Sequence, residues 1–368
     1  MRSEIHPLRL TAKGLFLFLI ANLLFALLEP PYYRLSLYNT LIPGRVRLPF
    51  SDEEGVYSVM VDDIDVMMAS HEVSAPKDPD EFRVVLLGDS SVWGEDSPVS
   101  QSISVLWNKT ADTCNGRKLE YYNLAYPHPS VVKDLIILKE AMAFDPDLVV
   151  WFVTLNSLTT RRLSPFILAN ADRAVQVLDT YAIPYDPQDA AALSRQDTWY
   201  EKTLLGRRSD LARMVKLQAL GVLWALGGTD GYVPEGPAAL PSNDVRSDRT
   251  YKDLESVDQL QGEIMWSALA AGHDIAGQVP LLVINEPIFI ASGANSDVRY
   301  NIRYPRWAYD YYRDELQSTS QTNQWNYLDL WDSVPAALFP DSFLHILPEG
   351  RQIVIEKTDP VLQNIACR

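Results

Sequence analysis

Ser90, His345 and Asp341 are the residues whose types and spacing could do nucleophilic chemistry. Ser90 stands in Val84-Val85-Leu86-Leu87-Gly88-Asp89-Ser90-Ser91-Val92-Trp93-Gly94, just past the apolar run Phe82 to Leu87. A serine beyond the carboxyl end of a buried strand sits where open α/β sheets place their ligands. Gly88 would let the chain turn sharply there. A helix starting right after Ser90 would offer free N–H groups to a developing negative charge. The simpler alternative is that Asp89 or Ser90 only caps that helix. A serine nucleophile needs a base, and the chain has five histidines. His6 precedes an apolar N-terminal run, while His71 and His273 are expected to be solvated. His345 lies in a loop before the last helix, on the sheet edge expected to carry Ser90. Asp341 is near enough in sequence to orient its imidazole, the third role in a triad.

The elements that must position these residues read as strand–helix alternation. Strands are expected at 82–87, 119–124, 148–154, 280–290 and 325–330. Helices are expected at 130–144, 259–271 and 307–316, with a last one from Pro348. The apolar strand runs and intervening helical spacing predict an α/β fold with a mostly parallel sheet and helices on both faces. Residues 161–255 interrupt the rhythm as a partly helical insertion. Within it, a helix over Asp210–Leu226 ends in the very apolar Leu217–Leu226. That end is either buried against the main domain or turned to a membrane surface or partner.

The N-terminus divides into a tail (1–13), an apolar anchor segment (14–30) and a peripheral segment (31–80). The uncharged run Gly14–Leu28 follows Arg2, Arg9 and Lys13. As a helix it spans roughly 23 Å, and adding Leu10 to Ala12 and Pro30 to Tyr33 makes a crossing possible. A cleaved signal peptide or a buried core helix would give a similar pattern. The first two readings export everything that follows.

Composition excludes some classes. The net charge of −16 repels nucleic acid, so none is expected as partner. The two cysteines, Cys114 and Cys367, form no CxxC pair or Cys/His cluster, so no metal site and no cofactor are expected. They could pair in an oxidising compartment, although nothing in the sequence brings them together. Asp62, Asp63 and Asp65 lack the EF-hand loop pattern and read as a solvated acidic turn or strand edge.

Several segments resemble the SGNH (GDSL-type) hydrolase superfamily. Gly88-Asp89-Ser90-Ser91 resembles its first block, in which the serine is the nucleophile. Val149-Val150-Trp151-Phe152-Val153-Thr154-Leu155-Asn156 resembles the block that delivers an asparagine to the oxyanion hole. Asp341 to His345, followed by Pro348-Glu349-Gly350, resembles the block supplying acid and base. The likeness covers 82–160 and 256–368, read as the two parts of one domain (81–160 and 256–368). It implies a flavodoxin-like three-layer sheet, a Ser90–His345–Asp341 triad, and an oxyanion hole from the N–H groups of Ser90 and His128 with the Asn156 amide. His128 stands where the family has a glycine and Thr154 where the asparagine block begins with one. Ser342 occupies the usual place of the acid, one residue after Asp341. His128 either lends its backbone N–H or touches substrate.

The resemblance further implies an esterase or O-acyltransferase held at a membrane and acting outside it, with an acylated surface polysaccharide as substrate. Asp89, Ser91, Arg303 and Trp307 are candidate substrate contacts. The aromatic and basic stretch Arg299–Tyr312 could grip a glycan or simply pack as a helix face. A lipid or short-chain esterase, and a weakly catalytic module partnering a membrane acyltransferase, stay open beside this reading.

Overall fold

The computed structural model describes residues 6–50, 59–95, 97–110, 112–195, 197–228 and 240–367; Arg2 of the basic N-terminal flank lies outside them. Six strands form one sheet: β1 (Glu81–Leu87), β2 (Thr113–Cys114), β3 (Arg117–Asn123), β4 (Leu148–Val153), β5 (Leu281–Asn285) and β6 (Asn326–Asp329). Their order is β2-β3-β1-β4-β5-β6. Every pairing is parallel except that of β2 with the start of β3. The five parallel strands therefore follow the doubly wound order 2-1-3-4-5, the flavodoxin-like arrangement. β1, β4 and β5 are buried along their whole length, which explains their largely apolar sequences; the two charges of β1, Glu81 and Arg83, pair with each other.

Helices cover both faces. Val131–Ala141 packs on Trp266–Ala276, and Trp266 stacks on Tyr312 of the helix Arg306–Thr322. On the other face Ile103–Asn108 packs against the last helix, Pro348–Ala366. A disulfide joins Cys114 of β2 to Cys367 at the end of that helix.

Several expectations change in detail. The strand expected over 280–290 stops at Asn285, because Glu286-Pro287 turns the chain out of the ladder. The helix expected over 259–271 is two pieces, Val257–Gln261 and Trp266–Ala276, broken around Gly262. The segment expected to be peripheral contributes to the core through Tyr38, Leu48, Phe50, Ile64, Met67 and Val73. Within it Asp63 caps the helix Ile64–Ser70, and Asp62 and Asp65 pair with Arg213 and Arg173 of the insertion. The acidic turn is thus a docking point for the insertion.

His71 and His273 are not solvated. His71 is fully buried, and its ring meets the carbonyls of Val46 and Asn123. Burial, partly offset by those bonds, lowers its pKa to about 4. His273 stacks on Trp325, and burial lowers it to about 4 as well.

The N-terminal helix runs from Pro7 to Leu28, longer than the uncharged run, and ends at Glu29 in a left-handed cap. It is long and apolar enough to cross a membrane, a test that a signal sequence also passes. The insertion helix Arg208–Gly227 divides its surface. Met214, Leu217, Gln218, Gly221 and Trp224 are buried, while Val215, Leu223 and Leu226 stay exposed. Gly221 is needed for this packing: a Cβ there would lie 2.4 Å from Tyr38 Oη.

Candidate active site

The carboxyl ends of all five parallel strands converge on one edge of the sheet. β1 leads through Gly88 to Ser90, β3 to the loop carrying His128, and β4 to Asn156. β5 leads to Glu286, and β6 to the loop of Asp341 and His345. The short helix Ser90–Trp93 starts at the serine itself, and the Asp89 carboxylate caps it by accepting the Ser91 N–H at 3.1 Å. Capping and a chemically useful position coexist here. Gly88 is required by close approach, since a Cβ would lie 2.8 Å from Val92 Cγ2 and 3.2 Å from Phe152 Cβ.

Ser90 Oγ lies 2.9 Å from His345 Nε2. His345 Nδ1 lies 3.1 Å from each carboxylate oxygen of Asp341. A carboxylate at Nδ1 makes that nitrogen the donor, which leaves Nε2 as acceptor for the Ser90 hydroxyl. Burial works against the Asp341 charge, but the His345 hydrogen bond and charge hold its pKa below the usual carboxylate value. Asp341 reaches the ring from four residues back because Ser342 organises the turn. The Ser342 hydroxyl accepts the His345 N–H at 2.9 Å and the Leu344 N–H at 3.3 Å.

His128 has φ of +75°, the left-handed backbone that glycine adopts most easily. Its side chain is exposed, with the ring edge-on to Phe50. Asn156 is buried one residue into the helix Leu155–Leu158. Thr154 opens that helix in a reciprocal cap with Ser157, which explains a non-glycine residue there.

The other sequence candidates fall in varied places. Ser91 is buried and donates its hydroxyl to Glu286. Arg303 is exposed and stands over the ring of Phe343, two residues before His345. Trp307 is half-buried and donates its indole N–H to the Arg249 carbonyl at 2.6 Å. Tyr300, Tyr304, Tyr309 and Tyr312 are core residues, so the aromatic stretch largely packs.

Five charged residues around the site escaped the sequence reading. Glu95 Oε2 lies 3.7 Å from His345 Nε2. Its loop is held by buried Arg47, which donates to the Gly94 and Ser97 carbonyls at 2.7 and 3.1 Å. Glu286 is buried directly behind Ser91. Burial first, then repulsion from Asp89, raises its pKa well above the usual carboxylate value, against the lowering effect of the Ser91 bond. Lys133 is fully buried, pairs with Asp134 at 2.8 Å, and donates to the Gly88 carbonyl at 2.7 Å and to the Tyr126 carbonyl. It thereby ties the Ser90 turn to the His128 loop. Burial lifts the Asp134 carboxyl to about 6, although Lys133 and the Trp151 indole N–H favour its charge. The available signal was a charge inside or just after an apolar run: Glu286 after Leu281–Asn285, and Lys133-Asp134 within an apolar helix.

A cavity of about 750 Å³ is walled by the Asp62–Asp65 turn, the stretch around Asn170 and the insertion. Its charges are largely paired, as in Arg173–Asp65, Arg207–Asp197 and Arg213–Asp62. Burial raises the Asp62 carboxyl, with the Arg213 charge opposing and the Asp210 charge adding to it.

No protein-family model and no curated protein matches this chain. Among solved structures, SGNH (G-D-S-L-type) lipolytic proteins resemble it. A member of the lipolytic G-D-S-L family from Veillonella parvula is 9% identical, with 76% of this chain and 97% of that one covered at a TM-score of 0.36. TesA is 12% identical, with 77% and 99% covered at 0.36. A carbohydrate acetylesterase family member from Sinorhizobium meliloti is 12% identical, with 77% and 99% covered at 0.35.

Proposed function

We propose that this chain is a serine-dependent esterase or O-acyltransferase that acts outside a membrane on acylated surface polysaccharide. The observation that carries the reading is the hydrogen-bonded line Asp341–His345–Ser90 at the carboxyl edge of the sheet.

Ser90 Oγ attacks the ester carbonyl while His345 Nε2 takes its proton. Asp341 keeps the tautomer that leaves Nε2 free to accept and stabilises the imidazolium formed. Glu95, on the Nε2 side of the ring, adds a second negative charge toward that cation. The N–H groups of Ser90 and His128 and the Asn156 amide hold the oxyanion, each donor worth about 3–4 kcal/mol of barrier. The tetrahedral intermediate collapses as His345 returns its proton to the departing alcohol oxygen. Water, or a sugar hydroxyl, then attacks the acyl-serine by the same route and restores the Ser90 hydroxyl.

The N-terminal helix is read as a single-pass anchor with the site beyond it. The Cys114–Cys367 disulfide supports this, because such bonds persist in oxidising compartments.

The direct test is p-nitrophenyl acetate turnover by the full-length chain and by its Ser90→Ala and His345→Ala variants. Both variants are expected to lose nearly all activity. Unchanged rates in both would end the proposal. Release of acetate from an O-acetylated polysaccharide, compared with hydrolysis of longer acyl esters, tests the substrate class.

A further inference from the structure

Asn22 is out of place in the N-terminal helix. It is a polar side chain in an apolar run and, with Ala26, one of two buried residues in a helix otherwise largely exposed. A primary amide at hydrocarbon depth costs several kcal/mol unless its hydrogen bonds are met. Here Asn22 Nδ2 donates to the Phe18 carbonyl at 2.9 Å, and Oδ1 accepts the Leu205 N–H of the insertion at 3.0 Å. Leu205 thus has its backbone donor satisfied by the anchor helix, as lipid would require. A second link joins the same segment to the helix end, where Lys202 Nζ meets the Glu29 carboxylate at 2.7 Å.

Those two links set a depth. Asn22 precedes Glu29 by two helical turns, about 10 Å along the axis. If Glu29 marks where the helix leaves the bilayer, Lys202 lies at the surface and Leu205 below it. The intervening chain is a compact turn. Thr203 N–H donates to the Tyr200 carbonyl at 3.0 Å, and Gly206 N–H to Thr203 Oγ1 at 3.0 Å. Gly206 packs so tightly that a Cβ would lie 2.1 Å from the Tyr200 oxygen. The turn still leaves large apolar side chains uncovered: Trp199 is 57% exposed, Tyr200 51% and Leu205 43%. Tryptophan and tyrosine beside basic residues make the composition found at a membrane–water interface. Lys202, Arg207 and Arg208 supply those basic residues here.

We infer that the Asp197–Arg208 turn is a second membrane contact, inserting Trp199, Tyr200 and Leu205 into the interface on the side where the anchor helix emerges. The occupant of this surface is lipid, continuous with the exposed apolar surface of the helix itself. The inference rests on the anchor reading above. Two points of attachment would fix the orientation of the domain, and with it the height of the candidate site above the bilayer.

The test uses full-length protein in phosphatidylcholine–phosphatidylglycerol nanodiscs, with one nitroxide label at a time. Labels replace residues in Trp199→Cys, Tyr200→Cys and Leu205→Cys, with Leu19→Cys as a lipid control and Ser242→Cys as an aqueous control. Collision with oxygen reports lipid, and collision with a water-soluble nickel chelate reports solvent. The insertion positions are expected to favour oxygen over nickel, as Leu19 does and Ser242 does not. Insertion labels behaving like Ser242 while Leu19 reports lipid would overturn the inference and leave the anchor intact. Insertion labels shielded from both quenchers would overturn it in favour of a protein contact. A Leu19 label open to nickel would remove the anchor reading and the inference with it. Having three separate insertion positions keeps the test decisive if one variant misfolds.

Discussion

Replacing Glu286 by glutamine tests whether the carboxyl behind Ser91 is neutral in the folded protein. Burial and the Asp89 charge raise its pKa well above the unfolded value, so the folded state binds this proton more tightly than the unfolded state does. Stability from such a group is fully present below the unfolded carboxylate pKa and is lost as pH rises toward the folded one. The slope is 2.303RT times the difference in bound protons, at most about 1.4 kcal/mol per pH unit. Glutamine does not titrate, so Glu286→Gln removes that slope and keeps an oxygen to accept the Ser91 hydroxyl. Its amide adds donors where Glu286 Oε1 already lacks a partner among the described residues, a pH-independent cost of about 1–3 kcal/mol. Asp134 titrates in the same direction in both proteins and largely cancels in the difference. The variant is therefore expected to trail the wild type at pH 5 and to gain on it up to pH 8. Urea unfolding followed by tryptophan fluorescence in detergent, at unit pH steps, reads the difference. A gap that stays constant, or that grows against the variant as pH rises, would show that Glu286 is ionised in the fold and refute the reasoning.

Three further outcomes follow from the geometry. Asp341→Asn should lower kcat for p-nitrophenyl acetate by about 10⁴-fold, because an amide no longer enforces the tautomer in which Nε2 accepts from Ser90; a loss under tenfold would leave a Ser90–His345 dyad. His128→Gly should retain most activity, because the φ of +75° suits glycine, whereas His128→Val should destabilise the loop by about 1–2 kcal/mol and depress turnover. If glycine abolishes activity at unchanged stability, the imidazole and not the backbone N–H is what the reaction uses. Cys114→Ser with Cys367→Ser should cost about 2–5 kcal/mol in urea unfolding yet leave turnover at 25 °C near wild type. The bridge ties β2, at the start of β3, to the last helix, and so lies at the opposite sheet edge from Ser90.

The centre of the sheet was legible because β1, β4 and β5 are buried on both faces, and continuous apolar runs such as Leu148–Val153 have few other uses. The placement of Ser90 was legible for the same reason, because it follows such a strand, whereas His345 follows the partly buried β6 and was singled out by its place in the loop before the last helix. What the sequence did not reveal depends on contacts distant along the chain. The reach of Asp341 depends on a turn closed by the Ser342 hydroxyl. The burial of His71 depends on the Asn123 carbonyl, fifty-two residues away. The helix break near Gly262 and the short β5 were missed because periodicity blurs where a glycine or a Glu-Pro pair redirects the chain.

The charged residues missed beneath the site share one physical logic. Lys133 holds two carbonyls, one from the Ser90 turn and one from the His128 loop, so it couples two of the elements proposed to bind the oxyanion. A fully buried ammonium is tolerated only when its donors are met, and here the carbonyls and the Asp134 carboxylate meet them. At Glu286 burial, reinforced by the Asp89 charge, raises the pKa and so disfavours a further negative charge beneath the serine turn, while the carboxyl accepts the Ser91 hydroxyl. A negative charge there would oppose an oxyanion forming above it. The polar layer under the sheet edge thus combines the Lys133–Asp134 ion pair with a carboxyl whose pKa is raised by burial and by the Asp89 charge. A carboxyl that resists ionisation beneath the serine turn opposes a developing negative charge less than a carboxylate would, so the pH dependence of Glu286→Gln bears on function as well as on stability.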